Sequence, residues 1–95
     1  MFATLQKSVT TAGTPVQISA TSLPVTGLNL VIKAKLANTG AITVGNSSAN
    51  ALNSDTKCFR LQANEKITLH IKDLSTVWID STVNGEGVEV LYEAA

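Results

Sequence analysis

The sequence predicts an all-β fold, a single two-sheet antiparallel β-sandwich of jelly-roll type with about eight strands. Three observations lead there. Apolar residues recur at period two, and stripes of helical period are nearly absent. Turn-forming residues punctuate the chain at close intervals. No helical stretch separates the strand candidates, which argues against parallel βαβ units.

Along the chain, a weak strand candidate spans Leu5 to Thr10, followed by the turn Thr11-Ala12-Gly13-Thr14-Pro15 and a short candidate at Val16–Ile18. After the Pro24–Gly27 turn comes the clearest alternation. Leu28, Leu30, Ile32, Ala34 and Leu36 share one phase, and Asn29, Val31, Lys33 and Lys35 the other. The first set is expected in the core and the lysines in solvent. Asn38-Thr39-Gly40 then turns the chain into Ile42–Val44. The Gly45–Asp55 run, GNSSANALNSD, is the longest polar loop and has room for one helical turn. Phe59–Leu61 follows, then the turn Ala63-Asn64-Glu65. Ile67, Leu69 and Ile71 next alternate with Thr68, His70 and Lys72. Val77–Ile79 leads to Asn84-Gly85-Glu86-Gly87, where Asn84-Gly85 predicts a type I′ hairpin into Val88, Val90 and Tyr92.

Ninety-five residues make one domain, residues 1–95. Such a chain is long enough for a core without staples, which become usual below about 40 residues. Charged residues are 15% of the chain, against about 25% in ordinary soluble domains. That shortage predicts that part of the surface is covered by another protein. The formal net charge is zero, so neither nucleic acid nor a membrane surface is an expected partner. The charges are nevertheless uneven. Up to Lys72 there are seven bases and two acids, and from Asp73 onward five acids and no base. In a two-layer fold this leaves one region basic and another acidic, or else scatters both sets in solvent.

A single cysteine, Cys58, rules out an internal disulfide and hence a disulfide-framework secreted domain. The start, MFATLQKSVTTAG, lacks the pattern of a signal peptide. No apolar run approaches the roughly 20 residues of a membrane span. Synthesis in a reducing cytoplasm is the expectation.

Catalytic chemistry has few carriers here. His70 is the only histidine and sits on an outward strand phase, with no Ser or Asp signature beside it. Asp73 and Asp80 read as strand-end or turn residues, and Glu86 and Glu89 as turn and strand-surface residues. Neither pair has the clustering of a metal site or of a glycosidase dyad. Cys58 is expected to be a buried, inert thiol. The chain is therefore expected to be no enzyme and to use no metal or cofactor. Trp78 stands out because Val77 and Ile79 claim the core phase, leaving the indole on the other. Val31 and Leu91 are likewise apolar on outward phases, and such positions mark interfaces. For Trp78 three further readings stay open: cover for a sheet edge, burial of both sheet faces there, or a sugar-stacking platform.

The order of these features resembles small β-sandwich proteins of tailed-bacteriophage virions. The resemblance rests on Asn38-Thr39-Gly40, Val44-Gly45, Glu65 to Ile71, Asp73-Leu74-Ser75, Trp78-Ile79-Asp80 and Gly87 to Tyr92, and covers roughly residues 28 to 93. It implies a capsid decoration (cement) protein that binds the major capsid protein on the outer surface of the virion, often as a homotrimer. Related sandwiches occur in head fibres and tail parts, where a carbohydrate- or receptor-binding module is the alternative. The family brings no catalytic residues. On this reading the expected interface residues are Trp78, Val31, Leu91, Phe2 and Leu5, with residues 1–11 as an arm gripping a neighbour.

Overall fold

The computed structural model describes residues 2–26 and 30–95. Leu28 and Asn29 of the expected alternation, Gly27 of the preceding turn and Met1 of the expected arm lie outside the described residues. Among the described residues eight strands form: β1 (Phe2–Ser8), β2 (Val16–Gln17), β3 (Leu30–Ala34), β4 (Ile42–Gly45), β5 (Phe59–Leu61), β6 (Lys66–Leu69), β7 (Trp78–Ser81) and β8 (Gly87–Glu93). A single helical turn, α1 (Ser48–Ala51), lies in the long polar loop, and a 3₁₀ turn spans Leu74–Thr76.

Two antiparallel four-stranded sheets face each other, ordered β1-β8-β3-β6 and β2-β7-β4-β5. The pairings nest: β1 with β8, β2 with β7, β3 with β6, β4 with β5. This is one long hairpin rolled up on itself, the jelly roll, with β3–β8 and β4–β7 as the added contacts. Six of the seven connections therefore cross from one sheet to the other, and β4–β5 alone stays within its sheet.

The alternation in β3 buries Leu30, Ile32 and Ala34 completely, with Val31 and Lys33 on the other face. Val88 and Val90 on β8, Ile42 and Val44 on β4, and Ile79 on β7 meet them in one core. β4 departs from strict alternation, because Thr43 is also fully buried. The cause is α1, which covers the outer face of that sheet and accepts a hydrogen bond from Thr43 Oγ1 at Ala51 O (2.6 Å). Ser47 caps the turn, its hydroxyl accepting from Asn50 N–H. Gly45 allows this packing, since a Cβ there would run into the main chain of Asn50 and Ala51.

Three expectations change. Leu36 is 71% exposed rather than buried, because β3 stops at Ala34 and a turn closed by Asn38 N–H to Lys35 O throws Leu36 outward. Asn84-Gly85 makes no β7–β8 hairpin, because those strands belong to different sheets. Only Gly85 of the pair has positive φ (81°), where a type I′ turn needs both. The N-terminal segment is no free arm, since residues 2–8 pair with β8 along their whole length.

Gly87 pairs with Ser8 across β8 and β1, and a Cβ there would overlap the Lys7 carbonyl oxygen and crowd Ser8 Cα. Both obstacles are main chain, so neither can swing aside. Gly87→Ala is expected to destabilise the fold by roughly 1–3 kcal/mol. The measurement is a urea titration, with a lower midpoint at an unchanged slope.

Candidate interaction surfaces

Crossovers between sheets leave main-chain N–H groups without ladder partners, and carboxylates satisfy many of them. Asp73 accepts from Leu23 N–H and Ser75 N–H (both 2.9 Å) and from the Ser22 hydroxyl, joining the β2–β3 crossover to the β6–β7 crossover. Glu86 accepts from Thr39 N–H (2.6 Å), Thr39 Oγ1 (2.9 Å) and Gly40 N–H (2.9 Å), joining β7–β8 to β3–β4. Asp80, fully buried, accepts from Gly13 N–H (3.0 Å), Asn53 N–H (2.8 Å) and Ser81 N–H (2.8 Å). Asp55 and Glu65 do the same for Lys57 and Gln62 within their own turns. Five of the seven carboxylates are thus engaged by the main chain, and Glu89 forms an ion pair with Lys33 (3.8 Å). The acid-rich end of the sequence therefore makes no acidic face of its own.

These contacts hold the Asp73 carboxyl well below the usual carboxylate range, the Ser22 hydroxyl first and the Leu23 and Ser75 donors after it. The Thr39 and Gly40 N–H groups lower Glu86 in the same sense.

The remaining reactive side chains stand apart. His70 is exposed on the outer face side, and among the described residues no three His, Cys, Asp or Glu gather into a metal-holding group. Cys58 is half-buried rather than buried, with its thiol on Asp55 O (3.1 Å). It lies in the turn entering β5, an edge strand of its sheet.

The five expected interface residues do not form one surface. Val31 and Leu91 are register partners across β3 and β8, on the outer face of the β1-β8-β3-β6 sheet. Thr4 pairs with Leu91 and Thr68 with Val31, so an uncharged row runs across all four strands. The neighbouring row is Gln6, Glu89, Lys33 and Lys66. Phe2, 65% exposed, lies at the end of β1 opposite Glu93. Leu5 is different: it pairs with Val90 and packs half-buried against the core, so it faces inward. Trp78, half-buried, lies on the other sheet, with Gly45 and Gln17 as its register partners.

A second feature was not legible from alternation. On the β5–β6 side the two sheets gape around a cleft of about 540 Å³ lined mainly by Val44, Phe59, Ile67, Leu69, Ile71 and Val77. Phe59 occupies the core phase, in line with the buried Val44 and Ile79, yet is 57% exposed. Its signal in the sequence was only that its strand is three residues long and follows a long loop.

Comparison of the chain with protein-family models, with curated proteins and with solved structures finds no match.

The Asp73 and Glu86 shifts set a pH dependence. Both groups are depressed in the folded chain, so below an ordinary carboxylate value of about 4 the unfolded chain binds protons that the folded one does not. The stability they provide is present at neutral pH and is lost as pH falls from about 5 downward. Denaturation midpoints followed from pH 7 into acid are expected to fall in that window. In the double variant Asp73→Asn with Glu86→Gln, the neutral-pH midpoint drops and the acid slope flattens.

Proposed function

We propose that this chain is a structural virion protein of a tailed bacteriophage, a capsid decoration protein that docks on the outer shell and cements neighbouring capsomers. One observation carries the reading: the uncharged row Thr4, Leu91, Val31 and Thr68 on an otherwise polar sheet face. Leu91 is 41% exposed there, beside Val31. A flat, mixed face of this kind suits contact with another folded protein, with the aliphatic pair desolvated at its centre and charges at the rim.

The rest of the molecule agrees with a role that depends on shape. The carboxylates that catalysis would need are bonded to main-chain donors at the crossovers, which fixes the loops instead. In this reading the Val31–Leu91 face meets the major capsid protein, and Trp78, on the opposite sheet, meets a neighbouring copy in a homotrimer. A modest contact per copy becomes strong when a trimer engages a repeating shell at several points. The action is mechanical: expansion of the shell must break the added contacts. The chain would be made in the host cytoplasm and act on the outer capsid surface.

The test is co-sedimentation with empty shells of the major capsid protein encoded in the same genome, together with the mass of the free protein. The expected result is saturable binding at a fixed ratio of copies. Leu91→Glu is expected to weaken it at least tenfold, the cost of one buried charge of a few kcal/mol, while leaving the thermal midpoint nearly unchanged. Trp78→Ala is expected to shift the mass toward the monomer. Shell binding unaffected by Leu91→Glu would sink the assignment of that face.

A second reading has one observation in its favour. Trp78 lies directly across the ladder from Gly45, where the polar loop bearing Asn46 and Asn50 begins. An aromatic face beside amide side chains is a carbohydrate-stacking arrangement, fitting a receptor-binding module of a tail or head fibre. Glycan-array binding that is abolished by Trp78→Ala would favour it over the shell.

A further inference from the structure

The two sides of the sandwich are finished differently. On the β1–β2 side Val9 and Ile18 close the core, each at most 4% exposed. On the β5–β6 side the core phase continues but is left uncovered. Ile67 and Leu69 share their phase with Ile32 and Leu30, their fully buried register partners, yet remain half-buried. Phe59 faces them from the other sheet across the cleft. In the β1-β8-β3-β6 order, β6 has a paired edge toward β3 and, among the described residues, no strand along its other edge. The sheet thus stops one strand short of covering its own core.

Three lysines stand near this opening, each with a carboxylate one or two positions away in the chain. Lys57 precedes the Cys58-Phe59 pair, Lys66 precedes Ile67, and Lys72 follows Ile71. Among the described residues none of these three lysines is in an ion pair. The nearby acids Asp55 and Glu65 are occupied by main-chain N–H groups. Arg60, on β5, donates to Asn53 O.

We propose that the cleft is a docking site for an extended segment of another polypeptide, one that alternates aliphatic with acidic residues. The segment adds a strand along the free edge of β6, its aliphatic side chains entering the opening over Ile67, Leu69 and Phe59. Main-chain hydrogen bonds to the edge supply affinity, and alternate side chains supply register. The acidic residues project outward to Lys66 and Lys72. A second copy is the wrong occupant for this edge. In the antiparallel register that sets Lys66 of one copy opposite Lys72 of the other, like charges so placed repel. Edge lysines are a common guard against such pairing. The same lysines that turn away a copy attract an acidic strand. This edge adjoins the Val31–Leu91 face at Thr68, but Leu91 lies two strands away and Phe59 on the other sheet, so Leu91→Glu and Phe59→Ser test the two surfaces independently.

The experiment uses the full chain, isotope-labelled for NMR, titrated with a capped peptide of about seven residues alternating valine and glutamate, the length of an ordinary strand. The expected result is saturable shift changes at Thr68, Ile71 and Phe59. Binding should be about fivefold weaker for the Lys66→Glu, Lys72→Glu double variant, whose two exposed substitutions leave the fold intact. That variant should instead favour a valine–lysine peptide. Phe59→Ser, at an exposed position, should weaken binding without lowering the thermal midpoint. The proposal is overturned by any of four outcomes: no saturable shifts in the cleft at millimolar peptide, equal binding of a peptide of the same composition with the alternation scrambled, cleft shifts produced by a small aliphatic ligand but not by the peptide, or concentration-dependent dimerisation through β6.

Discussion

Rolling a long hairpin into two sheets forces almost every connection to leave one sheet and enter the other. Some main-chain donors in those connections still reach a carbonyl, as Val25 does at Lys72 and Leu74 at Leu23, but others find none, and burying or half-burying them unpaired costs about 1–3 kcal/mol each. Carboxylates meet that constraint here. Asp73 and Glu86 each tie two crossovers together, and Asp80 ties the β1–β2 loop to the segment after α1. The neutral partner of Glu86 is Asn38, whose side-chain amide donates to Gly87 O (2.9 Å) between the same two crossovers. The ends of the sandwich are therefore held by short side chains, and the strands can be as short as two or three residues.

In the proposed reading, this arrangement links fold to function. A body whose loops are fixed before it meets a partner gives up little conformational entropy on docking. Its outer faces are consequently ready-made surfaces. The chain is poor in charge to begin with, and five of its seven acids are bonded to main-chain donors, so few are left to solvate the exterior. What is left outside is the Val31–Leu91 row on one sheet, Trp78 on the other, and the open side between β5 and β6.

Much of the fold was legible because period two and turn chemistry are local. The strands from Val16 to Tyr92 lie close to where alternation put them, and the helical turn falls inside GNSSANALNSD. Asn64 adopts the positive φ (68°) that its turn requires. What failed was not local. Asn84-Gly85 reads as a hairpin until the winding sends β7 and β8 to different sheets. Leu36 keeps the phase of β3 but lies past the point where the chain must turn. The first strand reads only weakly, as Leu5 to Thr10; it runs instead over Phe2–Ser8, paired with β8 along its whole length and with Leu5 packed against the core. The surface residues were half legible. Outward phase picked out Val31, Leu91 and Trp78, but nothing in the alternation says that Trp78 stands on the opposite sheet, or that Phe59 and Leu69 border a gap. The roles of Asp73, Asp80 and Glu86 depend on donors between 27 and 67 positions away in the chain.

Amide hydrogen exchange, read residue by residue at neutral and at acid pH, tests most directly whether carboxylates fix the crossovers. The amides of Leu23, Thr39, Gly40, Gly13 and Asn53 should exchange nearly as slowly as strand amides at neutral pH. In acid, Leu23, Thr39 and Gly40 should lose that protection before the strands do. Fast exchange at these positions at neutral pH, as in free loops, would contradict the account.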